Sequence, residues 1–316
     1  MRKLYSLLPG FIGACALYAQ VSAPVLGFVP DGNSVRPVFG IPAAASIADP
    51  LNIPRGIERM AASPRQDYVL ASTADNGEVV LVAPDGTLTS VRGAGNAPDQ
   101  IVVSPEGTAA ALWFSSITHA QVISGLPRSP QVREVDATFL GTTPYSLTVT
   151  DDGQWMAGAW RAGNYAFGPN GELNRLPVED IVPTLGFFHN SHDLAIATHE
   201  QILKVGDVGG ADTLSILLTG QGRLDAMAVG VAASNQQIVI ADPRGRITQL
   251  DLASGLTLKA ECGCHPQGLF AMGPSAFRLN GLESGAFQLF EPSSGRVLAA
   301  PINQFTGTQS AAGVQQ

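Results

Sequence analysis

Lysine is almost missing from this chain: past the first few residues only Lys204 and Lys259 remain. There is no basic run or basic stripe. A phosphate-backbone partner is therefore excluded, because such binding needs clustered cations to displace counterions, and no nucleic acid is expected. Charged residues make up only 14 % of the chain and aromatic residues 7 %. Helical periodicity is also absent, and with a mean hydropathy of +0.16 the balance fits strands buried on both faces better than amphipathic surface helices. Cysteine is scarce, at three residues, so no disulfide framework can stand in for a core. The signatures of several enzyme classes are missing: no G-x-S-x-G elbow, no H-E-x-x-H and no phosphate-cradling glycine loop. No cofactor is expected.

The chain opens with Met1-Arg2-Lys3, an apolar run from Leu4 to Tyr18 and then small residues. A charged start, an apolar stretch and a small-residue exit make a secretory signal, expected to span residues 1–19 and to be cleaved after Ala19. Pro9-Gly10 interrupts the run, which is too short for a membrane span, and no later segment qualifies. A second reading takes Ile12-Gly13-Ala14-Cys15 as a lipoprotein box that would acylate Cys15. Export implies a secreted or periplasmic protein. Losing Arg2 and Lys3 takes the formal net charge from −8 to −10.

Past the signal, the chain repeats itself. Ile101-Val102-Val103-Ser104-Pro105-Glu106-Gly107 leads into Ala109 to Trp113, and Leu147 to Thr150 with Asp151-Asp152-Gly153 leads into Trp155-Met156-Ala157. Taking Ser63, Ser104, Thr150, His189, Ala233 and Gly273 as one turn position, the steps are 41, 46, 39, 44 and 40 residues. Each unit adds two further short apolar runs joined by a turn such as Pro84-Asp85-Gly86, Ala253-Ser254-Gly255 or Pro292-Ser293-Ser294-Gly295. Asp-Gly and Ser-Gly supply the positive φ of tight hairpins. Several units are approached through proline: Pro98, Pro144, Pro183 and Pro266. Four short strands per unit, with regular turn signals, describe the blade of an all-β propeller; a Greek-key sandwich leaves the register of the turns unexplained.

Six full units run from about residue 55 to 301, within a propeller spanning 25–301. A lone hairpin precedes them: Val25 to Val29, the turn Pro30-Asp31-Gly32-Asn33, then Ser34 to Ile41. It resembles the second hairpin of a blade, and favours a seven-bladed ring over a six-bladed ring with a cap. Residues 302–316 read as a disordered polar tail.

The unit resembles the blade of the YVTN and NHL class of propellers, in which a strand, an S-P-D-G-like turn and a strand are followed by a second hairpin. Ser104-Pro105-Glu106-Gly107 is the nearest match and Asp151-Asp152-Gly153 the next. The Gly-His and Trp-Asp pair of WD repeats, the paired glycines of kelch blades and the tryptophan-docking repeat of quinoprotein propellers are absent. The resemblance speaks to architecture and hardly to activity.

Propellers usually work at the mouth of the central channel, where the innermost strands begin. Those positions are Glu58, Asp99, Tyr145, Thr184 and Gln267, with Asp225 just before the corresponding place in its unit. Gluconolactonase-type propellers hold a divalent cation there, and Glu58, Asp99 and Asp225 offer carboxylates, but no asparagine completes such a set. The alternative is a polar rim that only hydrogen-bonds its own loops.

Two further clusters carry reactive groups. Cys262-Gly263-Cys264-His265 reads first as a disulfide across one glycine in an oxidising compartment; inert thiols and a soft-metal site are the alternatives, and the spacing does not suit haem attachment. His189, His192 and Asp193, with His199 nearby, fall on a strand-to-strand turn and read as a solvated turn rather than a metal site. Trp113, Trp155 and Trp160 read as core. The leading expectation is an exported, non-enzymatic, monomeric propeller that binds a protein, glycan or small ligand. The rival is a metal-dependent, lactonase-like hydrolase at the channel mouth.

Overall fold

The computed structural model describes residues 24–179, 183–219, 224–284 and 286–300; the signal segment, Cys15 and the tail lie outside them. Almost all regular structure is strand, with three short 3-10 turns. Seven antiparallel sheets follow one another along the chain. Six have four strands in sequential order and one, at the N-terminal end, has three. The innermost strands are Val25–Asp31, Ile57–Ala62, Gln100–Val103, Ser146–Val149, Thr184–Phe187, Ala228–Val231 and Phe270–Met272. We number the blades 1 to 7 in that order.

The hydrophobic core falls into seven clusters, each shared by two successive blades. The last joins Met272, Phe287 and Leu289 of blade 7 to Leu26, Val29 and Val38 of blade 1. A row of sheets in which each packs on the next, and the last on the first, is a closed ring. The protein is a seven-bladed β-propeller, and the six-bladed alternative is excluded. Second strands are wedged between sheets on both faces, which explains their unbroken apolar character: Val69–Thr73, Ala109–Phe114 and Met156–Trp160 are buried at every position. Outer strands such as Thr213–Thr219 and Thr257–Glu261 are mostly exposed.

The N-terminal hairpin differs from its sequence reading. Val25–Asp31 is an innermost strand, so the pair Val25–Asp31 and Ser34–Phe39 is the first hairpin of blade 1, not the second. Ser46–Ile47 adds a two-residue third strand. The resemblance to a second hairpin came from its Asp-Gly turn, which serves either hairpin equally.

The repeat register has a chemical cause. Ser104 Oγ accepts hydrogen bonds from the backbone N–H groups of Thr108 and Ala109, and Thr150 Oγ1 accepts one from Trp155 N–H. Ser63, Ser104 and Thr150 are all buried, so each hydroxyl caps the turn between first and second strands from inside. The matching turn bond is made by the N–H of Phe188 and of Ala232. The equivalent positions in blades 5 and 6 are therefore one residue earlier than His189 and Ala233, where no hydroxyl marks them. Gly107 is required in its turn: its φ is +70°, and a Cβ there would sit 2.5 Å from Ser63 Oγ of the preceding blade.

Candidate functional site in the central channel

The innermost strands leave a cavity of about 290 Å³ on the ring axis, and all seven blades contribute to its wall. Phe28, Met60, Val102, Gly186, Gly230 and Ala271 give it an apolar lining, with Ser104, Thr148, His189 and Arg278 as polar exceptions.

One end of the channel is bridged, blade to blade, by the turns that follow the innermost strands. His189, on blade 5, reaches across blade 4 to place Nδ1 2.8 Å from Glu106 Oε1 on blade 3, and its Nε2 lies 3.2 Å from the carbonyl oxygen of Val231 on blade 6. Arg65 Nη2 of blade 2 lies 3.3 Å from the other Glu106 oxygen. Asp151 of blade 4 accepts hydrogen bonds from the N–H groups of Glu106 (2.6 Å) and Asn190 (2.7 Å). Asn235 of blade 6 accepts from His189 N–H and donates to His189 O. Five blades are thus stitched together. Burial pushes the Glu106 carboxyl up, but hydrogen bonds from His189 and Arg65 and their positive charge outweigh it, leaving the group below its ordinary value.

This corrects the reading of the histidine turn. His189 is largely buried, its side chain only 10 % exposed, rather than solvated. His192 turns to a different carboxylate, Asp152 Oδ2, at 2.8 Å, so the two rings diverge. The signal that places His189 is a partner 83 residues away in sequence.

At the opposite end lie the six rim positions. Glu58 is exposed on the second residue of its strand, and Tyr145 is 55 % exposed. Asp99 is engaged: its Oδ2 accepts the N–H of Ser115 at 2.6 Å. Thr184 is buried and its Oγ1 accepts the N–H of Val229 on the next blade, which makes it an inter-blade tie. Asp225 Oδ2 lies 3.7 Å from Arg244 Nη2. Gln267 donates its backbone N–H to Leu279 O, with its side chain over Gly281. The described residues that line the cavity include none of these six. Nor, among the described residues, do three His, Cys, Asp or Glu side chains gather as a metal site.

Sequence reasoning passed over Arg278. It sits in the second strand of blade 7, opposite Phe270, and is 7 % exposed. In the other five full blades that strand carries no charged residue, and this exception was the available signal. The guanidinium lies 4.0 Å from the Phe270 ring centroid. Burial alone pulls it down to about 10.

Away from the channel, Cys262 and Cys264 are joined by a disulfide after the outer strand of blade 6. Trp113, Trp155 and Trp160 are core, with Trp113 and Trp160 packed ring on ring at 5.8 Å between blades 3 and 4. No helix among the described residues is long and apolar enough to cross a membrane.

No family model matches the chain, and no curated protein matches its sequence. Solved structures do match. The Cps50 (Swd1) β-propeller domain of Myceliophteria thermophila aligns at a TM-score of 0.56 and 12 % identity, over 84 % of this chain and 98 % of that one. A streptogramin B lyase aligns at 0.59 and 10 % identity, over 88 % of each chain. Apo AztD from Citrobacter koseri aligns at 0.53 and 13 % identity, over 88 % of this chain and 94 % of that one. At such identities the likeness is one of fold, and what this chain shares with them is the propeller.

Proposed function

We propose that this protein is an exported, non-enzymatic propeller that binds a small ligand in its central channel, admitted through the rim that carries Glu58, Asp99, Tyr145 and Gln267. One observation carries the reading: a largely apolar cavity walled by all seven blades, with its far end bridged by the Glu106–His189–Asp151 network. Concave, largely apolar sites with a few placed polar groups are the usual form of small-molecule sites. The charged, apolar and small-residue segments of the first 19 residues support export, as does the Cys262–Cys264 bond, which an oxidising compartment preserves. The turn Ser104-Pro105-Glu106-Gly107 supports kinship with the YVTN and NHL class. Metal-assisted hydrolysis is the weaker reading, because Glu58, Asp99 and Asp225 are not drawn together and Asp99 and Asp225 are occupied by Ser115 and Arg244.

Methionine methyl NMR tests the site. Met60 and Met272 line the channel, Met156 is buried between blades 3 and 4, and Met227 is 37 % exposed elsewhere. Small-molecule ligands are expected to shift Met60 and Met272 saturably and to leave Met156 in place. Ligands that bind without moving either channel methyl would overturn the reading, and metal-dependent lactone turnover would overturn its non-enzymatic part.

A further inference from the structure

We infer that the channel holds a carboxylate subsite at Arg278, so that its ligand is a small monocarboxylate with an apolar body. The inference rests on the channel being the binding site and adds the chemistry of what binds.

A guanidinium has five N–H donors. Among the contacts of Arg278 with the described residues, one is a hydrogen bond, from Nη1 to Asn280 O at 3.1 Å, and one is the stack on Phe270. No carboxylate stands within ion-pair distance of it among the described residues, and burial is the only influence on its proton affinity. Burying an uncompensated charge is costly even after the surroundings relax. A cation kept in that condition facing a cavity is poised for an anion.

The position is also built. Asn280 is fully buried, its Nδ2 donating to Ala286 O and its Oδ1 accepting from Gln288 N–H. The carbonyl that holds the guanidinium is therefore fixed. Phe277 and Leu279 pack toward blade 6, so strand alternation turns Arg278 to the other face, toward blade 1. The Phe270 ring lies 4.0 Å from the guanidinium carbon and one Nη1 donor goes to Asn280 O, which leaves other N–H donors for a carboxylate, a group that a guanidinium matches bidentately. Gln267, on the rim, is bonded to the very next residue, Leu279, so Arg278 lies just inside the mouth.

Charge selects the class. One buried cation balances one negative charge, and a dianion such as phosphate would bring a second that Arg278 alone leaves unbalanced. Phe28, Met60, Val102 and Ala271 make much of the remaining wall apolar, with Ser104, Thr148 and His189 as its polar members. Gly186 leaves room there: a Cβ added to it would make only ordinary contacts, the nearest at 3.4 Å.

The test is a titration of the full exported protein with hexanoate and benzoate, against hexanamide, benzamide and inorganic phosphate, followed by the Met60 and Met272 methyls. Carboxylates are expected to bind at least tenfold more tightly than the matching amides and than phosphate. Arg278→Met is expected to lose that preference, binding carboxylates at least tenfold more weakly with amides unchanged, and Arg278→Lys to restore part of it. Gly186→Leu is expected to weaken both classes by occlusion. A melting temperature of Arg278→Met equal to or above wild type is expected, because the variant removes an unpaired buried charge; a purely structural arginine would lower it. If amides match carboxylates on the wild-type protein, or if Arg278→Met keeps the carboxylate preference, the subsite is refuted while the channel stands. If no compound moves either methyl, the channel reading and the subsite fall together.

Discussion

The two ends of the central channel are made of the same strands and treated in opposite ways. At the closed end, polar side chains spend their hydrogen-bonding capacity on one another across blades: Arg65, Glu106, Asp151, His189 and Asn235 form one network. At the rim, Glu58, Tyr145 and Phe270 remain exposed, and the buried cation just inside lacks a carboxylate. A committed polar group serves stability; an uncommitted one at a cavity serves binding. Substitutions at the closed end should therefore change melting, and substitutions at the rim should change occupancy.

The largest separation is expected from Asp151→Ala. The residue is 8 % exposed and its carboxylate accepts two backbone N–H groups from neighbouring blades. Removing it orphans both donors, and a loss of about 2–4 kcal/mol is expected in chemical denaturation. A loss under about 1 kcal/mol would mean that the tie does not hold the turns. Glu106 sharpens the same point through pH. Its folded value lies below the ordinary 4.5, so its contribution is fully present above that value and disappears as pH falls through the folded one. Wild type should lose more stability between pH 5 and pH 3 than Glu106→Gln does, with the other depressed carboxylates, Asp152 and Asp193 among them, titrating alike in both. Parallel curves would remove Glu106 from the network.

The rim should respond least. Glu58→Ala is expected to stay within about 0.5 kcal/mol of wild type, whereas Asp99→Ala should cost about 1 kcal/mol because Ser115 N–H loses its acceptor. The bond to Ser115 separates the two changes. The double variant should nonetheless weaken ligand shifts at Met60. Unchanged shifts would move attention from the rim to the blade edges.

How much of this was legible follows from where the information sits. The ring was legible because each turn is written locally, in a Ser or Thr hydroxyl and a glycine such as Ser104 with Gly107. Where Phe188 and Ala232 replace the hydroxyl, the register slipped by one residue. Blade 1 was recognised as a hairpin but misplaced within its blade, since strand position depends on neighbours rather than on the hairpin itself. The rim positions were reached by counting, yet counting cannot tell that Thr184 is spent on Val229 N–H. His189 and Arg278 were the least legible. One is defined by a partner two blades away, the other by the lack of a counter-charge, and neither property is local.

The seam between blades 7 and 1 has a consequence for assembly. Every other junction joins segments adjacent in the chain, but this one joins the two most distant blades, and among the described residues it is made by side-chain packing with no strand of one blade completing the sheet of the other. Closing it costs the loop entropy of the whole intervening array at once, and among the described residues no exchanged backbone ladder latches it. The blades can therefore form in chain order like a linear stack, with circularisation as the final event and the seam as the first joint to part on unfolding. Arg278 faces that joint, so an occupant gripped there would act as a clasp on the finished circle.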